Sequence, residues 1–262
     1  MTTRRTPTVG SSVLEVSRLT KQFVKDDMGI VALRDLSLGI EEGCFVTVLG
    51  RSGCGKSTML NLMSGLMSPT SGVVTLRDEP VAGPRTEVGY MTQSDTLMPW
   101  RDVRRNVEMP MEIKGVHAKV RRERAADLIE RVGLTGFERH YPRELSGGMR
   151  RRASLARMLA GDPEVLLLDE PFGALDAQLR SVLQAELLRL WQGSGQTVVF
   201  VTHDIEEALL LGDRVVVLGR VGRVVLDKAI GLPRPRDADE LRVDPQFVAL
   251  HREMSAALRE AQ

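Results

Sequence analysis

Gly50-Arg51-Ser52-Gly53-Cys54-Gly55-Lys56-Ser57-Thr58 follows a short β-branched run, Val46 to Leu49, and leads into a stretch of helical character, residues 58 to 66, that closes near Gly65. Gly, four residues, then Gly-Lys-Ser/Thr is the pattern of a phosphate-binding loop, and strand, loop, helix is the context it requires. Its glycines let backbone N–H groups turn inward toward phosphate oxygens, which side chains at positive φ would obstruct. The helix that follows offers its positive N-terminal end to the same anion. Lys56 is the expected point charge for the β- and γ-phosphates, and Ser57 the expected hydroxyl ligand of Mg²⁺. The stretch alone reads as a nucleoside triphosphate site; the competing reading is a Gly-rich turn. Cys54 lies inside the loop, so a bulky adduct on its thiol is expected to clash with bound phosphates.

Outward from this loop the chain alternates strands and helices. Residues 1–12 are polar and expected to be flexible. From Val13 to Leu49 short alternating strands are separated by turns at Asp26-Asp27-Met28-Gly29 and Glu41-Glu42-Gly43. Residues 73–91 return to strand character, and helical periodicity dominates from Val103 to Leu159. Apolar strand cores follow at 165–168, 198–202 and 214–218, with a helix at 177–191. Strands alternating with helices imply an α/β fold with a mostly parallel sheet covered on both faces. The two prolines of Leu232-Pro233-Arg234-Pro235-Arg236 stop regular structure, and a charged helix is expected at Pro245 to Glu260.

Val165-Leu166-Leu167-Leu168-Asp169-Glu170 is a buried strand that delivers two carboxylates at its end. An apolar strand ending in Asp is the Walker B arrangement, with Asp169 holding Mg²⁺ directly or through water. Glu170 is expected to point the other way along the pleat, where it polarises an attacking water. His203 follows the buried strand Val198 to Thr202, at the sheet edge where α/β ligands bind, and is expected to contact the γ-phosphate. His117, His140 and His251 lie in polar, helix-like surroundings and receive no role.

Composition bounds the rest. The 262 residues suffice for one sizeable α/β domain, are 42% hydrophobic and 27% charged, and carry a net charge of +1. That balance gives no global pull toward nucleic acid. Two cysteines, Cys44 and Cys54, make no disulfide framework. The longest apolar runs are far too short to span a bilayer, so service to a membrane would need a partner. Three basic groups, Arg101/Arg104/Arg105, Arg121/Arg122/Arg124 and Arg150/Arg151/Arg152, read first as solvated helix faces and second as a docking surface.

Leu145-Ser146-Gly147-Gly148-Met149 adds a second anion-binding helix start. One phosphate loop and one separate phosphate-reading helix in the same chain suggest a site completed by a second copy. The stretch resembles the ABC ATPase signature, and other motifs arrive in that family's order. Gln93 resembles the Q-loop, Ala174-Leu175-Asp176 the D-loop, and His203 the H-switch. Phe23 lies where the adenine-stacking aromatic is expected. Met149 departs from the usual Gln of the signature and cannot hydrogen-bond as an amide does.

The resemblance covers about residues 13 to 235. It implies a RecA-like P-loop NTPase core, an antiparallel β-subdomain, a helical signature subdomain at about 95–162, and a short helical tail over 236–262. It implies ATP and Mg²⁺ as cofactors, with Ser57, Gln93 and Asp169 around the metal. Ser146, Gly147, Gly148 and Met149 would act in trans on the partner's nucleotide, and Asp176 would lie at the interface. Leu97-Met98-Pro99-Trp100-Arg101, Pro171 to Asp176 and Leu232 to Arg236 are similar to the nitrate/sulfonate/taurine importers. The implied partners are a second ATP-binding subunit, a transmembrane permease pair and an extracytoplasmic substrate-binding protein, at the cytoplasmic face of the membrane. The rival expectations are a soluble ABC-type ATPase acting on nucleic acid or ribosomes, and a nucleotide-gated adaptor without hydrolysis.

Overall fold

The computed structural model describes residues 12–25, 28–94, 96–173 and 175–261. Most of the expected flexible N-terminus, Asp26 and Asp27 of the first turn, and Ala174 of the D-loop lie outside the described residues. β1 (Ser12–Lys25) and β2 (Met28–Glu41) form an antiparallel pair, and the turn after Glu41 feeds β3 (Phe45–Gly50) and then α1 (Lys56–Met63). β4 (Ser71–Leu76), the two-residue β5 (Glu79–Pro80) and β6 (Val88–Met91) follow. Three helices come next: α2 (Val103–Ile113), α3 (Ala118–Arg131) and α4 (Gly147–Ala160). The chain then alternates through β7 (Val165–Asp169), α5 (Ala177–Trp191), β8 (Thr197–Thr202), α6 (Ile205–Leu211), β9 (Arg214–Leu218) and β10 (Val224–Ala229), and ends in α7 (Ala238–Leu241) and α8 (Pro245–Glu260).

The strands make two sheets. One is antiparallel, in the order β2-β1-β4-β5; the other runs β10-β9-β3-β8-β7-β6, parallel except for the β9–β10 pair. The parallel strands are apolar on both faces because both are covered. Val46, Val48, Val165, Leu167, Val199 and Val201 pack with Met59 and Leu60 of α1 and with Leu14 and Leu33 of the antiparallel sheet. The alternate residues Phe45, Leu166, Leu168 and Phe200 pack with Leu183 and Leu187 of α5 and Leu155 of α4. That period of two is the pleat itself. Its result is a stiff sheet whose C-terminal edge carries Gly50, Asp169 and Thr202.

α2, α3 and α4 close on a core of their own that includes Val103, Val107, Ile129 and Ala153. Most helices start on a capping side chain. Asp102, Ser146, Asp176, Asp204 and Asp244 each accept a bond from the first turn of α2, α4, α5, α6 and α8, an interaction worth about 1 kcal/mol. The basic groups do not all lie on solvated faces as first expected. Arg101 and Arg104 pair with Glu112 and Glu108 at 2.6 and 3.7 Å. Arg151 is buried, 7% exposed, because α4 packs across the loop after β6 and its guanidinium donates to Thr92 O at 2.8 Å.

Candidate phosphate site

The loop leaves β3 at Gly50 and turns at Gly53 and Gly55, whose φ values are +82° and +106°. Gly55 is required twice: an added Cβ would stand 2.6 Å from Leu33 Cδ2 and 2.7 Å from Ala32 O. Lys56 is 5% exposed, and its Nζ donates to Gly50 O at 2.7 Å and Arg51 O at 3.0 Å. Ser52, Gly53, Gly55, Lys56, Ser57 and Thr58 line a cavity of about 250 Å³ together with Ala32, Gln93 and Glu170. Gln93 arrives there because β6 ends at Met91, one strand beyond β7.

Asp169 ends β7, is 5% exposed and accepts a hydrogen bond from Ser57. Burial pushes its carboxyl above the ordinary carboxylate range, and the Ser57 bond opposes that. Glu170 does not follow the pleat, as the strand reading expected. Its φ of +43° takes it out of extended geometry, and that left-handed turn sets the direction of its carboxylate. Its amide still bonds Val201 O at 3.0 Å. Oε1 stands 3.7 Å from Lys56 Nζ and Oε2 3.1 Å from His203 Nδ1. The ring of His203 is largely exposed.

A polar network behind His203 was not read from the sequence. Thr202 donates to buried Glu207, which also accepts from Gln184 Nε2 at 2.9 Å. Asp204 Oδ1 accepts from the amides of Glu206 and Glu207 at 2.9 and 3.2 Å, and Asp204 N donates to Thr202 Oγ1 at 3.0 Å. Asp204, followed by acidic residues, was a legible helix-start signal.

The structure does not bring the signature to this cavity: among the described residues, none of Ser146, Gly147, Gly148 or Met149 lines it. Ser146 is exposed at the start of α4, with Oγ accepting from Met149 N at 3.2 Å. Gly148 is buried against α5, where a Cβ would stand 2.3 Å from Leu179 Cδ2. Asp176 Oδ1 accepts from the amide of that same Leu179 at 3.0 Å, so the two helix starts are packed together. Met149 packs on the core of the helical layer, which accounts for an apolar side chain there.

Two other expected residues, Phe23 and Cys54, do not line the cavity. Phe23, on β1 opposite Ile30, is 37% exposed with Lys21 Nζ 5.2 Å from its ring centre, and it does not line the cavity. Cys54 turns its side chain away from the phosphate side. It is 6% exposed, belongs to the core beneath α1, and its amide donates to Arg51 O at 3.3 Å. The expectation that an adduct there would meet bound phosphates is corrected: the thiol faces Gly50 and the core, and burial raises its pKa.

A glycine-rich loop capping a helix, a buried lysine and a strand-end acid pair facing a histidine define a nucleotide-hydrolysing cassette. A family model described as ABC transporter matches residues 33–173. The taurine import ATP-binding protein TauB of Yersinia pestis is 44% identical over 242 residues, 90% of this chain and 93% of that one. The nitrate import ATP-binding protein NrtD of Synechocystis is 40% identical over 252 residues, 94% and 95% of the two chains. A solved dimeric ATP-binding cassette in a post-hydrolysis state, bound to ADP and phosphate, superposes with a TM-score of 0.77 at 33% identity, covering 84% of this chain and 100% of that one. The chain belongs to the ABC transporter family, as an ATP-binding and ATP-hydrolysing subunit.

Proposed function

We propose that this chain couples binding and hydrolysis of MgATP, at an interface between two ATP-binding subunits, to uptake of a small solute of the nitrate, sulfonate or taurine kind. The observation that carries the reading is a division of labour. Lys56 and Glu170 line one cavity and His203 stands 3.1 Å from Glu170, whereas none of Ser146 to Met149 at the anion-binding start of α4 lines that cavity. A second copy would supply Ser146 and Gly148 to the γ-phosphate.

Arg51 to Thr58 would hold the phosphates, with Phe23 stacked on the adenine. The oxygens of Ser57, Gln93 and Asp169 suit Mg²⁺, which takes few protein ligands beside substrate phosphates; when bound it neutralises phosphate charge. Glu170 would orient and polarise the attacking water, and His203 would contact the transferring phosphoryl. Asp176 would lie at the interface, one turn from Leu179, the residue against which Gly148 packs.

No described helix is long and apolar enough to cross a membrane; permease subunits would carry the solute across. A 340 Å³ cleft between β6 and the helices α2 and α4, lined by Met91, Met98, Met109, Ile113 and Met158, fits such a partner. Methionines adapt their shape to a docked surface. Gln93, on the loop between this cleft and the phosphates, would relay the motion. The complex would sit at the cytoplasmic face and receive solute from an extracytoplasmic binding protein.

The test is purification of the full chain with its partners. Recovery with an integral membrane permease, and ATP turnover stimulated by a taurine-, sulfonate- or nitrate-loaded binding protein, support the proposal. Recovery with nucleic acid or ribosomes instead would replace it with the rival ATPase.

A further inference from the structure

The segment Leu232 to Arg236 is joined to the catalytic edge by one short helix. α6 begins two residues after His203 and has only seven residues. A helix leaves its last four carbonyls without intrahelical partners, which in two turns is most of the helix. Two arginines of the segment occupy that end. Arg236 Nη1 donates to Leu209 O at 3.0 Å, Leu210 O at 3.2 Å and Gly212 O at 2.6 Å. Arg234 donates to Leu211 O and, through Nε, to Asp213 Oδ1 at 2.9 Å.

The Arg236 side chain is 1% exposed. Burial, together with the charge of Arg234, lowers its pKa to about 10, so it stays charged at neutral pH. A buried cation needs such partners, and one at a helix C-terminus also meets the negative end of the dipole. Asp213 completes the anchor: its amide donates to Phe45 O at 2.7 Å and its Oδ2 accepts from Phe45 N at 3.2 Å. The C-terminal end of α6 is thereby tied to the start of β3, the strand that carries the phosphate loop. Its other end is Asp204, next to His203.

We infer that Arg236, supported by Arg234, is a positioning residue for hydrolysis: it fixes α6 as a strut that holds His203 in place against Glu170. The inference rests on the roles of His203 and Glu170 proposed above. Pro233 and Pro235 restrict the backbone on either side of Arg234, so the segment presents its guanidinium groups with little freedom to lose.

The experiment is a double-mutant cycle on the full chain, with kcat and KM for ATP measured for Arg236→Ala, His203→Ala and the pair. Arg236→Ala is expected to lower kcat about 10- to 100-fold, the scale of a misplaced catalytic group, with KM changed less than about twofold. In the His203→Ala background it is expected to add less than about twofold. Arg236→Lys should recover little, because a single ammonium cannot replace both Nη1 on the α6 carbonyls and the Nε and Nη2 that donate to Leu232 O at 3.3 and 3.0 Å, and it carries the same cycle if the alanine variant does not fold. Equal losses in both backgrounds would mean a general structural role and overturn the inference. Full activity of Arg236→Ala beside an impaired His203→Ala would overturn the strut alone. Full activity of His203→Ala would overturn the proposed chemistry and the strut with it.

Discussion

Oε2 of Glu170 stands 3.1 Å from Nδ1 of His203, while its other oxygen stands 3.7 Å from Nζ of Lys56. One carboxylate therefore faces the lysine of the phosphate loop and the histidine of the next strand. That geometry suits a group that orients water between an anion and its surroundings. Glu170→Gln keeps the shape and removes the charge. It is expected to retain ATP affinity, lose turnover by about 10²–10⁴-fold, and accumulate an ATP-bound dimer. Steady-state hydrolysis and gel filtration with ATP check this; near-normal turnover would remove Glu170 from its role.

Cys54 gives a different expectation from the one its place in the loop first suggested. Burial raises the pKa of its thiol, and burial pushes Cys44 up to about 12. Neither thiolate is populated at neutral pH. Both should react slowly with iodoacetamide in the folded chain and quickly in denaturant, with or without MgATP. Cys54→Ala should cost about 1 kcal/mol of stability and leave ATP affinity intact. Rapid native labelling of Cys54 that MgATP blocks would restore the first expectation.

Glu207 supplies a test of pH dependence. Its carboxyl is raised by burial, against the opposing bonds from Thr202 and Gln184. The native chain then holds a proton that the unfolded chain releases, so stability falls as pH rises from the ordinary carboxylate range through the raised value. Glu207→Gln removes that titration. The difference in Tm, wild type minus variant, should decline as pH rises above the ordinary carboxylate range and through the raised value, by roughly 3–5 °C for each pKa unit of elevation. A difference independent of pH would show that Glu207 is not elevated.

The shared site is tested by mixing two lesions. Lys56→Ala damages a phosphate loop and spares the signature; Ser146→Arg does the reverse. Each homodimer has two damaged sites. A heterodimer combines one intact loop with one intact signature and places both lesions in its other site. It should trap one MgATP where neither parent traps any, measured on heterodimers isolated with two tags. Verified heterodimers that occlude no more nucleotide than the parents would count against a site built in trans.

How far the sequence carried the reading depends on the reach of each signal. β7 and α5 were legible because an apolar run and a helix started by Asp176 are local. α6 was missed although Asp204 followed by Glu206 and Glu207 signals its start, because seven residues ending in the apolar run Ala208 to Leu211 are too few to show a helical period. β10 was missed because it is half exposed and pairs only at the sheet edge. Within the site, residues 50–58 are neighbours in sequence and were found together. The contact of Glu170 with His203 needs the register Asp169↔Val201 and a left-handed residue, and neither is written in residue types. The burial of Arg151 likewise comes from the docking of α4, which no charge pattern reports.

The register of β3 also sets a timetable. Phe45 pairs with Val198 and Val46 with Arg214, so the strand that holds the phosphate loop finds both neighbours near the far end of the chain. During synthesis at about 5–20 residues per second, that strand waits on the order of ten seconds for β8 and β9 to leave the ribosome. The β1–β2 hairpin and the α2–α4 layer close on nearer contacts and need not wait. A nascent chain thus carries the loop sequence long before it has a sheet to hold it. Competence for ATP arrives late in synthesis, after α2 and α4, which line the cleft proposed for the permease, have already been made.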